Sequence, residues 1–399
     1  MIFSTYWFLT FLFVFLPGYA ITRNLPQLRL AWLVICSVAF HAHFAGPAGV
    51  LPVLALGLLV FLLGRSNHPA AHLVGITISV AALLYYKYTI FLISFFICPI
   101  FPQLGNFLVA EAGRTLPSSP PLAISFFVFE FVHYLVDRRR GHPAIRSPTE
   151  FTLFTIFFPT LVAGPIKRYE TFLPALRQGV RLANSGDAVV GFLQLALGFA
   201  KKLVSDNLTQ WIEGHETSFI TDTLGSRWIF LAALGFRILL DFSGYSDMAI
   251  GLARIMGIRI PPNFNWPYLA LNLRDFWQRW HISLSTWIRD YIYIPLGGNR
   301  LGVSRQILNG MLAFALCGLW HGPAWNFVVW GLFHGAGLAT THAYRHLPWK
   351  IGSGLGRFFD EHPWLGWLVT LLYVWLGWLL FFYPLPQAAR MILLLFYWG

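Results

Sequence analysis

The stretch that decides the fold reads NLRDFWQRWHISLSTWIRDYIYIPLGGNR, residues 272–300, and LWHGPAWN, residues 319–326, follows it further along the chain. Both stretches carry histidines among strongly apolar surroundings, and the first also carries several charged side chains. Ionisable groups in a hydrocarbon surrounding are costly and usually mark a site or a water-filled path. The two stretches therefore predict a reaction centre inside a membrane protein.

The composition excludes an ordinary soluble protein. Of the 399 residues, 57% are hydrophobic and 11% are charged, whereas soluble domains carry about 25% charged residues. The formal net charge is +12, but the basic residues stand in short links between apolar runs, as expected for loops that face the cytoplasm and anionic headgroups. The basic-patch signature of nucleic-acid binding is missing, so no nucleic-acid partner is predicted.

Apolar runs along the chain predict an all-α polytopic membrane protein, because a span needs about 20 mostly apolar residues. Residues 1–20 lack the basic start of a signal peptide and are predicted to be the first span. The run 151–165 contains Pro159, Gly164 and Pro165, so we expect it to be re-entrant. We predict about eleven transmembrane helices, from the runs 2–20, 30–44, 47–64, 72–100, 121–136, 188–204, 227–255, 307–321, 324–342, 364–383 and 386–398.

Residues 274–291 predict a single helix with three distinct faces. At 100° per residue, one narrow stripe holds a histidine among polar and basic side chains. Such a helix is expected to lie partly buried at the membrane interface or to line a cavity; the alternative is an interfacial helix with snorkelling arginines and tryptophan anchors. The stripes are Arg274, Gln278, His281, Ser285 and Arg289; then Trp277, Trp280, Leu284 and Trp287; then Asp275, Arg279, Thr286 and Asp290.

His321 stands at a predicted helix break. Gly322 suits the end of one helix and Pro323 the start of the next. Broken helices at membrane depth usually border a cavity. A histidine that only fills a packing role is the alternative, since histidine is often half-buried.

Two further patches place carboxylates in apolar runs. Asp241 and Asp247 lie within 227–255, where intramembrane ion pairs with Arg237 and Arg254 are an alternative to a functional role. The Glu130–His133 spacing resembles that of di-iron bundles, but one copy occurs where two are needed, so no metal site is predicted.

Taken together, five stretches resemble the membrane-bound O-acyltransferase family. They are similar in particular to its bacterial cell-envelope branch, which includes the alginate O-acetylation and teichoic-acid D-alanylation membrane proteins. The stretches cover about half of the chain, in order. They are LAISFFVFEFVHYLVDRRRG (122–141), FFPTLVAGPIKRYETF (157–172), DFSGYSDMAIGLARIMG (241–257), NFNWPYLALNLRDFWQRWHISLSTWIRDYIYIPLGGNR (263–300) and LWHGPAWNFVVWGLFHG (319–335).

The resemblance implies an enzyme with two signature positions, which match His281 and His321. It implies one domain over residues 1–399, with re-entrant or interfacial helices around a central tunnel. An acyl thioester would enter from the cytoplasmic side and an acceptor hydroxyl from the other. Acyl transfer needs a base, for which His321 is the candidate, and donors for the developing oxyanion. Expected substrate-binding residues are Arg274, Trp277, Gln278, Arg279, Trp280, Ser285, Arg289, Asp247, Trp320, Trp325 and Asn326.

No bound cofactor is expected; the acyl donor would be acetyl-coenzyme A or an acyl-carrier-protein thioester. Expected partners are membrane lipid, a periplasmic or extracellular acyltransferase-type protein, an acyl carrier protein and a polysaccharide acceptor. The location would be the bacterial inner or plasma membrane, crossed several times.

The acyl group remains open between two types. Residues 290–300 and 241–251 resemble the alginate type and favour acetyl transfer. The chain ends at Gly399, nearer the length of the D-alanylation type, and the segment after Phe382 departs from the alginate pattern. A transporter or channel is a further alternative, but it would be expected to show repeated, symmetry-related broken helices.

Overall fold

The computed structural model describes residue 3 and residues 5–117, 120–343 and 349–397. All regular secondary structure in these ranges is helical, and no strand occurs in them. The all-α prediction is therefore confirmed for the part of the chain that the structure describes.

The chain divides into two compact units. The first comprises residues 1–199 and 245–261, and the second comprises residues 200–244 and 262–399. Each unit is described by itself below. The sequence-based expectation of one domain over residues 1–399 stays a prediction.

Eight α-helices lie entirely within the described residues of the first unit, and a π-helical segment, Leu84–Tyr88, joins the third to the fourth. The second of them is kinked at Gly46, whose backbone φ is 64°. The helices are α1 (Tyr6–Ile21), α2 (Pro26–Arg65), α3 (Pro69–Leu83), α4 (Thr89–Leu92), α5 (Pro102–Thr115), α6 (Ile124–Arg139), α7 (Pro148–Ile156) and α8 (Tyr169–Leu182).

Two long helices continue from one unit's residues into the other's, and seven more lie in the described residues of the second unit. The long helices are α9 (Ser185–His215) and α10 (Leu224–Ile255). The second unit adds α11 (Leu273–Arg279), α12 (Ile282–Ile288), α13 (Val303–His321), α14 (Trp325–Ala343), α15 (Trp349–Glu361), α16 (Pro363–Phe382) and α17 (Leu385–Leu394).

Several of these helices are long and apolar enough to cross a membrane. Six qualify by length and composition among the described residues, and a shorter apolar helix covers Gly49–Arg65. The total of eleven spans and the central tunnel stay predictions. The six are Tyr6–Asn24, Pro26–Gly46, Pro69–Ile97, Ser185–His215, Leu224–Ile255 and Pro363–Phe382.

The apolar run 151–165 is broken, as its prolines and glycine predict. Helix α7 ends at Ile156, and a single 3₁₀ turn, Phe158–Thr160, follows. A Cβ on Gly164 would lie 2.6 Å from the Cα of Thr160, so this turn needs glycine there, and the re-entrant path stays a prediction.

Glu130, a carboxylate in an apolar run, forms a buried ion pair. The Nζ atom of Lys167 lies 2.7 Å from its Oε1 and donates a second hydrogen bond to Thr160 Oγ1 at 3.0 Å. Both charged residues are only 4% exposed. The pair thus fastens the broken segment to α6 within the first unit.

Breaking this buried pair is expected to destabilise the protein strongly. Lys167→Met leaves the Glu130 carboxylate buried without its cation, which costs about 3–5 kcal/mol. Thermal unfolding of the detergent-solubilised protein measures the loss. The control Arg177→Ala removes a pair with Glu150 in which the arginine side chain is 59% exposed, and such surface pairs contribute about 0–1 kcal/mol. Equal losses in the two variants would contradict the assignment.

The prediction of one helix over residues 274–291 is wrong. Helix α11 ends at Arg279, α12 begins at Ile282, and a π-helical turn, Arg289–Tyr293, follows α12. The cause is the segment 263–265, which lies outside the residues whose periodicity predicts the single helix. The N–H of Asn265 donates to the carbonyl of Arg279, and the N–H of Ile282 donates to the carbonyl of Asn263, both at 2.9 Å. These bonds replace bonds of a continuous helix.

Candidate active site

The break places His281 in a strained backbone conformation. Its φ is 43° and its ψ 55°, in the left-handed region that few residues other than glycine adopt. Such strain persists where surrounding contacts impose it, and it concentrates at functional sites. The contacts that impose it come from Asn263.

The side-chain oxygen of Asn263 accepts three hydrogen bonds. It receives the backbone N–H of Ser283 at 3.0 Å, the Ser283 hydroxyl at 2.9 Å and Nδ1 of His281 at 3.2 Å. A backbone N–H can only donate, so the amide atom at this point is the oxygen rather than the nitrogen. It follows that His281 Nδ1 carries a hydrogen and that, in the neutral ring, Nε2 holds a lone pair.

The Nε2 atom of His281 is buried and has no hydrogen-bond partner among the residues that the structure describes. The ring packs edge-to-face on Phe242, with 4.6 Å between centroids. Along the chain, His281 lies between the candidate spans Leu224–Ile255 and Pro363–Phe382. Burial of the ring, and secondly the charge of His321, lowers the pKa of His281 well below the ordinary value. The side chain is therefore a neutral imidazole with an open acceptor.

His321 ends α13, as the Gly322–Pro323 pattern predicts. Its half-buried ring packs edge-to-face against Trp330 and Phe381, at centroid distances of 5.2 and 5.0 Å. A Cβ on Gly322 would lie 2.2 Å from the Phe327 ring, so a larger residue here would require that ring to move. The predicted helix break at this histidine is confirmed.

Trp320 connects the two histidines. Its ring centroid lies 6.4 Å from that of His281 and 4.8 Å from that of His321. The ring of Trp320 thus lies near both histidines within the second unit.

Close backbone packing of α13 on α14 fixes the position of His321. A Cβ on Gly318 would lie 2.0 Å from the carbonyl oxygen of Phe327, and one on Gly331 would lie 2.1 Å from that of Phe314. Neither helix could approach the other so closely with a larger residue at these positions.

A cavity of about 610 Å³ lies in the second unit. Its lining includes part of the predicted polar stripe, because the break leaves α11 and α12 facing the same space. The described residues that line the cavity do not include His281. The break thus separates His281 from the other residues of its predicted stripe. The predicted binding residues that line the cavity are Arg274, Trp277, Gln278, Ser285 and Arg289.

The other predicted binding residues of the second unit have different surroundings. Trp280 is buried and stacks on Tyr268. Arg279 pairs with Asp275 at 2.7 Å, as the i,i+4 spacing predicts. Trp325 is 45% exposed, and the amide of Asn326 donates to the carbonyl oxygen of Phe381 at 3.1 Å.

The two carboxylates of the 227–255 run also have described neighbours. Asp247 belongs to the first unit, where the amide of Gln194 lies 3.4 Å from its carboxylate. Asp241 belongs to the second unit and accepts from Lys202 Nζ at 2.9 Å, rather than from Arg237. Arg237 itself donates to the Thr209 hydroxyl.

Sequence reasoning missed two residues of this region. Asn263 stands outside the helical pattern and gave no local signal. His334 is 0% exposed and lies in the apolar run 324–342. The rule that ionisable groups in apolar runs mark sites could have found it.

The residues from 79 to 383 match the model of the membrane-bound O-acyltransferase family, MBOAT. The chain is 33% identical to a peptidoglycan O-acetyltransferase of Helicobacter pylori, over 91% of this chain and 74% of the relative. It is 36% identical to a probable alginate O-acetylase of Azotobacter vinelandii, over 84% of this chain and 68% of the relative. It is 30% identical to the teichoic acid D-alanyltransferase of Bacillus subtilis, over 55% and 59%.

This chain therefore belongs to the membrane-bound O-acyltransferase family. It is an acyltransferase and a multi-pass protein of a bacterial membrane, as the resemblance of its motifs predicts. The roles given to individual site residues stay predictions.

Replacing the Asn263 amide by a carboxylate is expected to change the pH dependence of acyl transfer. Asn263→Asp places a negative charge against Nδ1–H of His281, which raises the pKa of His281 because a neighbouring anion favours the imidazolium. Because only the neutral ring has an open acceptor at Nε2, we expect activity to fall as the pH falls, and this acid limb of the profile to move to higher pH in the variant. The pH profile of kcat/KM measures the shift. In the control Asn265→Asp, an exposed position two residues away, an equal shift would contradict the assignment.

Proposed function

We propose that this protein transfers an acetyl group from a cytoplasmic thioester to a hydroxyl group of a cell-envelope or extracellular polysaccharide. The observation that supports the proposal is that the imidazoles of His281 and His321 both lie near the Trp320 ring. The His281 ring is neutral, and Asn263 selects the tautomer in which Nε2 is free to accept a hydrogen bond. Transfer of an acyl group to an alcohol needs a proton acceptor beside the hydroxyl, and this pair supplies it.

The chemistry assigns one role to each histidine. His321 takes the proton of the acceptor hydroxyl while the hydroxyl oxygen forms a bond to the thioester carbon. The C–S bond then breaks, and the proton passes from His321 to the thiolate that leaves. His281 accepts a hydrogen bond through Nε2 from a second hydroxyl of the polysaccharide and so orients the acceptor, because the single hydrogen of the reacting hydroxyl goes to His321. The tautomer that Asn263 selects is the one that this role requires.

The cavity of about 610 Å³ is the proposed entry for the donor, and its volume is that of a typical ligand site. Arg274 and Arg289 are exposed side chains on its lining. Coenzyme A and the prosthetic arm of an acyl carrier protein both carry phosphate, which guanidinium groups bind well. Either thioester therefore suits this cavity.

Acetyl is favoured over D-alanyl because the O-acetylating relatives from Helicobacter and Azotobacter align along more of this chain than the D-alanyltransferase does. D-alanyl transfer to a teichoic-acid-like polymer from a carrier protein is the second candidate. In either case a periplasmic or extracellular acyltransferase-type protein is the proposed partner at the polymer. Transport without acyl transfer is not supported by membership in an acyltransferase family.

Removal of the His321 imidazole is expected to abolish acylation. His321→Ala loses general-base catalysis, which contributes about 10²–10⁴-fold, while the exposed histidine control His68→Ala keeps it. Mass spectrometry of polymer from cells expressing each variant measures acetyl and alanyl esters separately. Full acylation in His321→Ala would contradict the assignment, and alanyl esters in place of acetyl would select the second candidate.

Removal of the cavity arginines is expected to weaken donor binding. Arg274→Ala and Arg289→Ala should each raise KM for acetyl-coenzyme A about tenfold, the effect of losing a charge-assisted hydrogen bond of about 1.4 kcal/mol. Initial rates with purified protein in nanodiscs measure KM. Arg357→Ala alters an exposed arginine of α15 and serves as control. Unchanged KM in both cavity variants would place the donor elsewhere.

A further inference from the structure

Three buried nitrogen-bearing rings of the second unit have unsatisfied polar atoms. Trp277 is 7%, Trp330 1% and His334 0% exposed. Neither the two indole N–H groups nor either ring nitrogen of His334 has a hydrogen-bond partner within the described ranges. More than about 90% of buried polar groups are paired, and each unpaired one destabilises the folded state. Three such groups together need a physical reason.

The three rings form one cluster next to the candidate active site. The His334 centroid lies 5.1 Å from that of Trp277 and 5.0 Å from that of Trp330, and the two indoles are 5.9 Å apart. Trp277 lines the donor cavity, and Trp330 contacts His321. The cluster therefore reaches from the proposed donor entry to the proposed base.

Packing alone does not account for these nitrogens. In the same aromatic region, Trp378 stacks on Trp330, but its indole N–H donates to the Tyr268 hydroxyl at 2.9 Å. Tyr373 contacts His334 and donates its hydroxyl hydrogen to the carbonyl of Phe333. The fold thus pairs these two polar groups beside the cluster, whereas the rings of the cluster, like the nearby indole N–H of Trp375, have no hydrogen-bond partner among the described residues. An apolar ring could fill each position without the cost of a buried, unbonded N–H.

We propose that the N–H groups of Trp277, Trp330 and His334 bind the carbonyl oxygen of the acyl thioester and stabilise the oxyanion that forms on it. The inference rests on the proposed acyl transfer and names the oxygen-binding part of that site. When the acceptor oxygen bonds to the carbonyl carbon, the C=O π electrons move onto the oxygen, where the three N–H groups meet it. The electrons return as the C–S bond breaks, and the thiolate takes the proton from His321.

This assignment predicts opposite effects on activity and stability. Replacing His334 by phenylalanine removes an unsatisfied imidazole from an aromatic surrounding, so the folded state is retained or stabilised while kcat falls. A merely structural histidine would give the reverse result. At position 330, β-(3-benzothienyl)alanine keeps the shape of tryptophan and replaces its N–H by sulfur, and so removes the donor without leaving a cavity.

The experiment uses the purified full chain in nanodiscs, with acetyl-coenzyme A as donor and a mannuronate hexamer as acceptor. Released coenzyme A thiol and acetylated hexamer give kcat, and thermal unfolding gives stability. His334→Phe and the benzothienylalanine variant at 330 should each lower kcat about 10²–10³-fold, the effect of losing an oxyanion donor, without lowering the unfolding temperature. The matched control carries benzothienylalanine at 378, where the N–H is already bonded; it should lose stability and keep kcat within about threefold.

Wild-type kcat in both the 330 and 334 variants would overturn the inference. If His321→Ala is inactive in the same assay, the proposed function survives that result. A fall in kcat that follows a matching loss of stability, equal at positions 330 and 378, would also overturn it. A wild-type protein that releases no thiol and acetylates no hexamer would contradict the proposed acetyl transfer, and the inference would fall with it.

Discussion

The side-chain oxygen of Asn263 is the acceptor on which the candidate site depends. By taking hydrogen bonds from His281 and from the backbone and hydroxyl of Ser283, it replaces helical bonds and ends the helix at the point where the imidazole stands. The same contacts impose the left-handed backbone of His281 and select the tautomer with a lone pair on Nε2. The buried amide of Asn263 thus sets both the orientation and the tautomer of the His281 ring.

Some buried polar groups of this protein are hydrogen-bonded and stabilise the fold, whereas others have no hydrogen-bond partner among the described residues. Lys167 pairs with Oε1 of Glu130, and the guanidinium of Arg227 donates to the backbone carbonyls of Phe219, Ile220 and Leu394. These contacts fasten segments that apolar packing cannot orient. In contrast, Nε2 of His281 and the rings of the Trp277–Trp330–His334 cluster have no partner among the described residues. Under the proposal these groups find their hydrogen-bond partners in the bound substrate, since unbonded burial costs free energy.

Local chemistry made much of this predictable from sequence. Long apolar runs determine helices, Gly322 and Pro323 determine the break after His321, and the motif stretches indicated the family correctly. Non-local contacts defeated the rest. The periodicity of residues 274–291 contains no trace of the 263–265 segment that takes over the hydrogen bonds of Arg279 and Ile282. Similarly, Arg237 stands one helical turn from Asp241, but Lys202 from another helix reaches that carboxylate. His334 lies inside the apolar run 324–342, whose composition predicts a membrane span and does not by itself indicate a site.

The central claim is that acyl transfer takes place beside Trp320, between His281 and His321. A cryo-electron microscopy structure of the full chain in nanodiscs, with a thioether analogue of acetyl-coenzyme A that cannot transfer its acyl group, tests it most directly. The account predicts density for the acyl end of the analogue against the rings of His321 and Trp330, with its phosphates beside Arg274 and Arg289. Density for the analogue elsewhere, with His281 and His321 closed off by packed side chains, would contradict it.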